Sequence, residues 1–268
     1  IAVGVNAAAR IYNNGVPKSA LEASGSGGLT HYWRNNVLTT TGTWEDLKGS
    51  NNGTLSGGST VIFPEGTTSG RDINGFLLTH PNKNYLSLDG EGYLEIPHSP
   101  VFDFGTGDFS IEAWAKFQYV DDGSTINAIV AKGTLHSEAT ATGLLIEDTT
   151  ADDAGNVVQF RIGTNNVSYS TANFETWYHL IGVRRSGVMY LYVNGYYRAG
   201  GTANTTNITS TDSFLIGRDK GSSRYYKSSI DDVRVYNRAL TDGGGLSIDD
   251  EAGGEIVKNY RHGTAKHK

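Results

Sequence analysis

Between Thr176 and Gly201 the chain reads TWYHLIGVRRSGVMYLYVNGYYRAGG. This stretch leaves little choice of local structure. Three apolar, aromatic-rich runs are separated by Ser186-Gly187 and by Asn194-Gly195. Asn-Gly accepts the positive φ that a type I′ turn needs at both central residues, and the twist of that turn matches the strands it joins. The stretch therefore reads as an antiparallel meander of three strands. Leu191 and Val193 face inward, and the tyrosines beyond the second turn have an outward-facing member.

The rest of the chain carries the same signature. Of 268 residues, 35 are Gly and 15 Tyr, while only 5 are Pro. Many tight turns between β-forming aromatics suit an antiparallel all-β protein. The length fits one large sandwich or two small domains. There is no cysteine, which excludes disulfides and thiolate metal sites. A net charge of −6 and the lack of a basic stripe argue against a nucleic-acid partner. No run approaches the ~18 apolar residues of a membrane span. The chain begins at Ile1 with no leader pattern, so it reads as processed or as a fragment.

Three segments are expected. Residues 1–28 form an N-terminal extended arm and linker, with short helical turns at Asn6–Tyr12 and a flexible stretch at Ser24–Gly28. Residues 29–262 form the sandwich, and residues 263–268 form a tail. The segment Ile11–Lys18 matches Asn259–Lys266 in placing Tyr three residues before Gly and Lys three after it. Chance between two short segments explains this, as does a domain that follows a similar domain, or an arm that mimics a domain end and docks on a neighbour.

Within the sandwich, LTHYWRN opens as a strand, and Trp44 and Leu47 are anchors. NYLSLDGEGYLEIP is a hairpin around Asp89–Gly92, closed by Pro97. Phe109, Ile111, Ala113 and Ala115 alternate with Ser110, Glu112, Trp114 and Lys116, a period-2 strand. Residues 126–132, 143–147, 156–163, 166–170, 211–219 and 228–240 complete the strands. So many short strands indicate two packed antiparallel sheets. One short C-terminal helix is expected from Asp249 to Tyr260, with acids at its positive end and Gly263 as its stop.

The series LSLDGEGYLEIP, FDFGTGDFSIEAWAKF, TWYHLIGVRRSGVMYLYVNG, SFLIGRD and IDDVRVYNRALT resembles the concanavalin A-like lectin/glucanase superfamily. Within it the likeness is to laminin G-like (pentraxin-like) jelly-roll modules of bacterial and phage surface proteins. The resemblance implies an all-β, two-sheet jelly roll over about residues 29–262. It also implies a role in glycan binding, protein binding, virion decoration or spacing, among which fold alone does not choose.

Chemistry is sparse. Glucanases of this superfamily carry paired carboxylates on one sheet face. Here Glu112 stands alone and is expected to face solvent, and Glu45 and Asp46 do not alternate on one face. Retaining hydrolysis needs two carboxyls about 5 Å apart, so no enzyme is expected. The histidines show no zinc-binding spacing. The resemblance implies a structural calcium near the first hairpin and the last strand, where the matching residues are Asp89, Gly90 and Asp231. Asp231 shares a face with Val233 and Val235 in a regular strand. Buried there, it needs either a hard cation or backbone N–H groups from the Asp89-Gly90 turn.

Sugar binding calls for exposed aromatics beside polar groups. Tyr196, Tyr197, Tyr225 and Tyr226 are candidates, with Arg198, Arg218, Asp219 and Arg224 as polar partners. The competing and more ordinary reading has these tyrosines covering a sheet or a subunit contact. Trp33, Trp44, Trp114 and Trp177 read as core or sheet-flank residues. The leading expectation is a non-catalytic virion or surface module, a phage-type decoration, head-fibre or tail-fibre protein. It would attach to neighbouring subunits through residues 1–28 and adhere to cell-surface glycan from the virion surface or extracellular space. The alternative is a carbohydrate-binding module of a secreted glycoside hydrolase.

Overall fold

The meander turns adopt the backbone their residues favour. Ser186 and Gly187 have φ of 50° and 71°, and Asn194 and Gly195 have 54° and 80°, all left-handed as type I′ geometry requires. The computed structural model describes residues 12–13, 16–17, 28–33, 43–44, 46–56, 60–62, 85–117, 126–148, 156–170, 175–221, 225–243 and 254–267. In chain order the strands begin with β1 (Tyr12–Asn13), β2 (Val16–Pro17), β3 (Leu29–Trp33), β4 (Thr43–Trp44), β5 (Gly53–Ser56), β6 (Thr60–Ile62), β7 (Tyr85–Asp89), β8 (Tyr93–Ile96) and β9 (Phe109–Lys116). They continue with β10 (Ile126–Lys132), β11 (Thr142–Asp148), β12 (Asn156–Ile162), β13 (Asn165–Ser170), β14 (Trp177–Arg185), β15 (Val188–Val193), β16 (Tyr196–Ala203), β17 (Phe214–Ile216) and β18 (Lys227–Tyr236), before one helix, α1 (Glu255–His267). The expected strands at 126–132, 143–147, 156–163 and 166–170 become β10 to β13 to within one residue at each end.

Two antiparallel sheets pack face to face. The first runs β13-β12-β11-β10-β17-β8-β5-β4, and the second β16-β15-β14-β9-β18-β7-β6 with β3 also paired to β18. Neighbours distant in sequence, such as β10 with β17 and β9 with β18, give the sandwich its jelly-roll connectivity. Its core is the alternate residues of both inner faces: Phe109, Ile111, Ala113 and Ala115 of β9 against Val130, Leu144, Val158, Phe160, Phe214 and Ile216. Each of the larger of these side chains, Val, Leu, Ile or Phe, stabilises the fold by roughly 1.5–3 kcal/mol when fully buried. Gly182 in β14 is a packing glycine, because a Cβ there would overlap the Phe160 ring of the opposite sheet.

The second sheet is covered on its outer face as well. Leu29, Ile181, Val183, Tyr192, Tyr236 and Leu240 form a separate apolar cluster closed by Ile256 of α1. The helix differs from expectation at both ends. Asp249–Glu251 lie outside the described residues, and α1 continues through Gly263 to His267, so the expected tail belongs to the helix. Gly263 is not a stop. It is a close-approach site, where a Cβ would overlap the Trp114 indole. One turn earlier Tyr260 stacks on the same indole, with centroids 5.9 Å apart and planes 12° from parallel.

Of the N-terminal arm, the β1–β2 pairing and Gly28 are described. The helical turns expected at Asn6–Tyr12 and the linker expected at Ser24–Gly28 otherwise lie outside the described residues. No helix among the described residues is long and apolar enough to cross a membrane.

Candidate functional site

Glu112 corrects the sequence reading most sharply. It is fully buried, because α1 lies over the face that alternation assigns to solvent. Its Oε1 pairs with Arg234 and lies 3.0 Å from His179 Nε2. Its Oε2 accepts hydrogen bonds from Tyr236 Oη at 3.0 Å and Asn259 Nδ2 at 2.8 Å. Burial alone would raise this carboxyl, but the Arg234 charge and the His179 contact hold it below the ordinary range. Arg234 also lies over Tyr32, with Cζ 4.5 Å from the ring centroid, and Tyr32 Oη donates to Asp232 at 2.6 Å. Asn259 belongs to α1, so the cluster ties the helix to the sheet. A sealed, ionised carboxylate holds no proton to donate and has no path to a substrate, which unfits it for general acid catalysis.

The expected calcium residues do not come together. Asp89 is exposed, and its Oδ1 accepts the backbone N–H groups of Glu91 and Gly92 at 2.9 and 3.0 Å. Gly90 adopts φ 97° to close that turn. Asp89 pairs across from Lys227, four positions before Asp231 on β18, or roughly 13 Å at the usual rise per residue. Asp231 also misses its expected face. A bulge between Asp231 and Arg234, with Asp232 at φ 49°, resets the alternation. Asp231 therefore pairs with Trp114 on the helix-covered face, while Val233 and Val235 face the core. Among the described residues no group of three or more His, Asp or Glu is placed to hold a metal.

Two buried cations that the sequence reading did not single out fix the loops at one rim of the sandwich. Arg184 donates to the carbonyls of Gly105 and Gly107 at 2.7 Å and of Thr206 at 2.8 Å. The Lys132 ammonium donates to Ser210 O at 2.6 Å and Asp103 Oδ1 at 2.5 Å. A third polar clamp joins His31 to Asp46, whose carboxylate also accepts the backbone N–H groups of Tyr32, Lys48, Gly49 and Asn51. Their partners are loop carbonyls, amides and carboxylates distant in sequence, which leave no local pattern. Beside the rim an open cleft of about 370 Å³ is lined by Val101, Asp108, Asn237 and Arg238, among others. Its charged groups are engaged within the fold, Asp108 with Ser186 N–H and Arg238 with Glu255.

The tyrosine candidates separate. Tyr226 is buried and donates to Lys116 O, so it holds β9 and cannot meet a ligand; the reading that pairs it with Tyr225 is corrected here. Asp219 is likewise buried and accepts the N–H groups of Leu135 and Gly221, both at 2.9 Å. Arg224 lies outside the described residues. Tyr225 remains half-buried, its ring 6.1 Å from that of Tyr93, with Arg218 lying against both. The Arg218 Cζ is 4.6 Å from both centroids. Tyr93 was not foreseen as part of this group, although its outward position in an alternating hairpin strand was the available signal.

Tyr196 and Tyr197 stand open at 40% and 54% exposure. They begin β16, the edge strand of the second sheet, beside β13, the edge of the first. Arg198 spans this seam, its Cζ 4.8 Å from the Tyr169 ring and 5.1 Å from Tyr196. Tyr197 packs edge-on against Tyr192 at 5.9 Å. Register shifts in the β15–β16 pairing break the regular edge that another chain's strand would need. What remains is two solvent-facing rings on opposite faces of one edge strand, Tyr196 beside the Arg198 guanidinium and Tyr197 against Tyr192.

A two-sheet jelly roll with a helix over one sheet and aromatics at an open edge defines a lectin-like module. The family model of the concanavalin A-like lectin/glucanases superfamily matches residues 88–243, more than half of the chain. The chain belongs to this superfamily. No curated protein matches it. Among solved structures it is similar to domain 4 of an extracellular arabinanase from Geobacillus stearothermophilus, a structure in complex with arabinotriose, with 18% identity, a TM-score of 0.52, and coverage of 80% of this chain and 94% of that one. The Trypanosoma rangeli sialidase matches with 14% identity and a TM-score of 0.54, over 87% of this chain. The binding domain of Botulinum neurotoxin DC, in complex with rat synaptotagmin II, matches with 13% identity and a TM-score of 0.58, over 88% of this chain. The chain spans 32% of the sialidase and 51% of the toxin domain. At these identities the likeness is one of fold.

Proposed function

We propose that the chain is a non-catalytic glycan-binding module carried on a virion or another extracellular surface. The observation that carries the reading is the exposure of Tyr196 and Tyr197, one on each face of the edge strand β16. Rings braced from behind and open in front suit the C–H faces of sugars, and Arg198 supplies donors for hydroxyl groups. Sugar as the ligand class is supported by the arabinanase domain, which has nearly the same extent as this chain and is described with an arabinotriose. That likeness in extent also favours a second reading, a carbohydrate-binding module of a secreted glycoside hydrolase. A non-catalytic role is supported by Glu112, which is sealed under α1. Attachment to neighbouring subunits falls to residues 1–28 in the virion reading.

The test is a glycan array probed with the native chain and with a Tyr196→Ala/Tyr197→Ala variant. The native chain should bind a defined set of glycans, and the double variant should lose them while melting at the same temperature. Silence of the native chain on the array, together with self-association in solution, would overturn the proposal in favour of a subunit contact.

A further inference from the structure

We infer that Arg218, framed by Tyr93 and Tyr225, binds the carboxylate of an acidic sugar. This rests on the glycan-binding reading and gives it a ligand class and a second contact point. A guanidinium offers two donor edges. The edge formed by Nε and Nη2 is occupied within the fold, on Asp219 O at 2.9 Å and Gly221 O at 3.3 Å. The end-on edge, formed by Nη1 and the second N–H of Nη2, has no hydrogen-bond partner among the described residues. Its two N–H bonds run parallel at the spacing that suits the two oxygens of a carboxylate. The hydroxyls of Tyr93 and Tyr225 are equally unengaged among the described residues, and each can donate or accept. One bidentate cationic fork beside two neighbouring phenols matches a sugar that bears a carboxylate beside ring hydroxyls.

The other arginines show why this one stands out. Arg234 and Arg238 are met by Glu112 and Glu255, and Arg184 by backbone carbonyls. Arg198 is exposed and stacks on rings without a hydrogen bond to hold its head in place. Arg218 is half-buried, fixed by two backbone bonds and two rings, and has no carboxylate partner among the described residues. It is therefore already ordered before a ligand arrives, which removes part of the entropy cost of binding. Partial burial also strengthens its attraction for an anion relative to an exposed side chain.

The experiment is calorimetric titration of the whole chain with oligosaccharides ending in glucuronic, galacturonic or sialic acid. Each is compared with its carboxyl-reduced form, in which the acid has become an alcohol. At least one acid should bind about tenfold or more tightly than its reduced form, the scale of a charge-assisted hydrogen-bond pair. Arg218→Gln should abolish that preference. Arg218→Lys keeps the charge but lacks the fork and should lose most of it, and Tyr225→Phe, which removes only a hydroxyl, should weaken acid binding severalfold. Equal affinity for every acid and its reduced form would overturn the inference, as would an undiminished preference in folded Arg218→Gln. So would binding of acidic peptides with no binding of acidic sugars. Neutral-glycan binding that Tyr196→Ala/Tyr197→Ala abolishes, without any acid preference, removes this inference and leaves the proposed function standing. Absence of binding to any sugar removes both.

Discussion

Arg234 and Arg218 are built from the same parts and end in opposite states. Each guanidinium lies over tyrosine, Arg234 at 4.5 Å from Tyr32 and Arg218 at 4.6 Å from both Tyr93 and Tyr225. Arg234 sits under α1, where a lone charge would be severely destabilising, and the fold supplies Glu112 as its counter-ion. Arg218 sits at a half-open position where water and two backbone carbonyls suffice. The sequence neighbourhoods do not separate the two. What covers the face does, and so the first arginine serves folding while the second is available to a ligand.

The largest effect should come from breaking the buried partner. Glu112→Gln leaves buried Arg234 with only the more distant Asp232 carboxylate, 4.0 Å away, and should destabilise the protein by about 3 kcal/mol in urea unfolding. A loss below about 1 kcal/mol would mean that water reaches this cluster and that the contrast with Arg218 is false. Acid should act through the same group. The folded-state carboxyls of Glu112, Asp46 and Asp103 lie below their ordinary values. Desolvation opposes this in each case, and paired cations, a histidine or N–H donors outweigh it. Their contribution is therefore fully present above the unfolded-state values, about pH 4–4.5, and is lost as pH falls through the depressed folded values. The urea midpoint should hold from pH 7 to about 5 and fall steeply below about 4, and Glu112→Gln should make that fall shallower.

Smaller effects sharpen the comparison. Gly263→Ala gains up to about 1 kcal/mol of helix propensity. It also drives a Cβ into the Trp114 indole, and strain of this kind runs to about 1–3 kcal/mol. Net destabilisation of about 1 kcal/mol is expected by thermal unfolding, and stabilisation would show that α1 is not closely docked. Arg218→Gln should change stability least, by no more than about 1 kcal/mol, since it removes ring stacking at a half-open site.

Much of the fold was legible in the sequence because turn chemistry and alternation are local. Asn194-Gly195 set the meander, and the period of β9 placed Phe109, Ile111 and Ala113 in the core. The errors have one cause, which is that sequence periodicity does not show what covers the second face of a sheet. Glu112 was assigned to solvent because α1, more than a hundred residues downstream, is what buries it. Asp231 was assigned to the core because the bulge at Asp232 has no residue signature. Gly263 looked like a helix stop because the indole that requires it lies on a distant strand. Of the tyrosines, alternation leads one to expect one outward member in each adjacent pair, and Tyr196 and Tyr197 are both exposed. In the Tyr225-Tyr226 pair it is Tyr226 that faces in, and nothing local in the sequence says which of the two does.

The central claim is that the open tyrosine-bearing surface recognises sugar while the buried network only holds α1 in place. The most direct measurement is the glycan array read with the native chain beside the Tyr196→Ala/Tyr197→Ala variant, both confirmed as folded. The account predicts specific binding by the native chain and its loss in the variant at unchanged melting temperature. Glycan binding that survives the double substitution undiminished, or a native chain that binds no glycan, would contradict it.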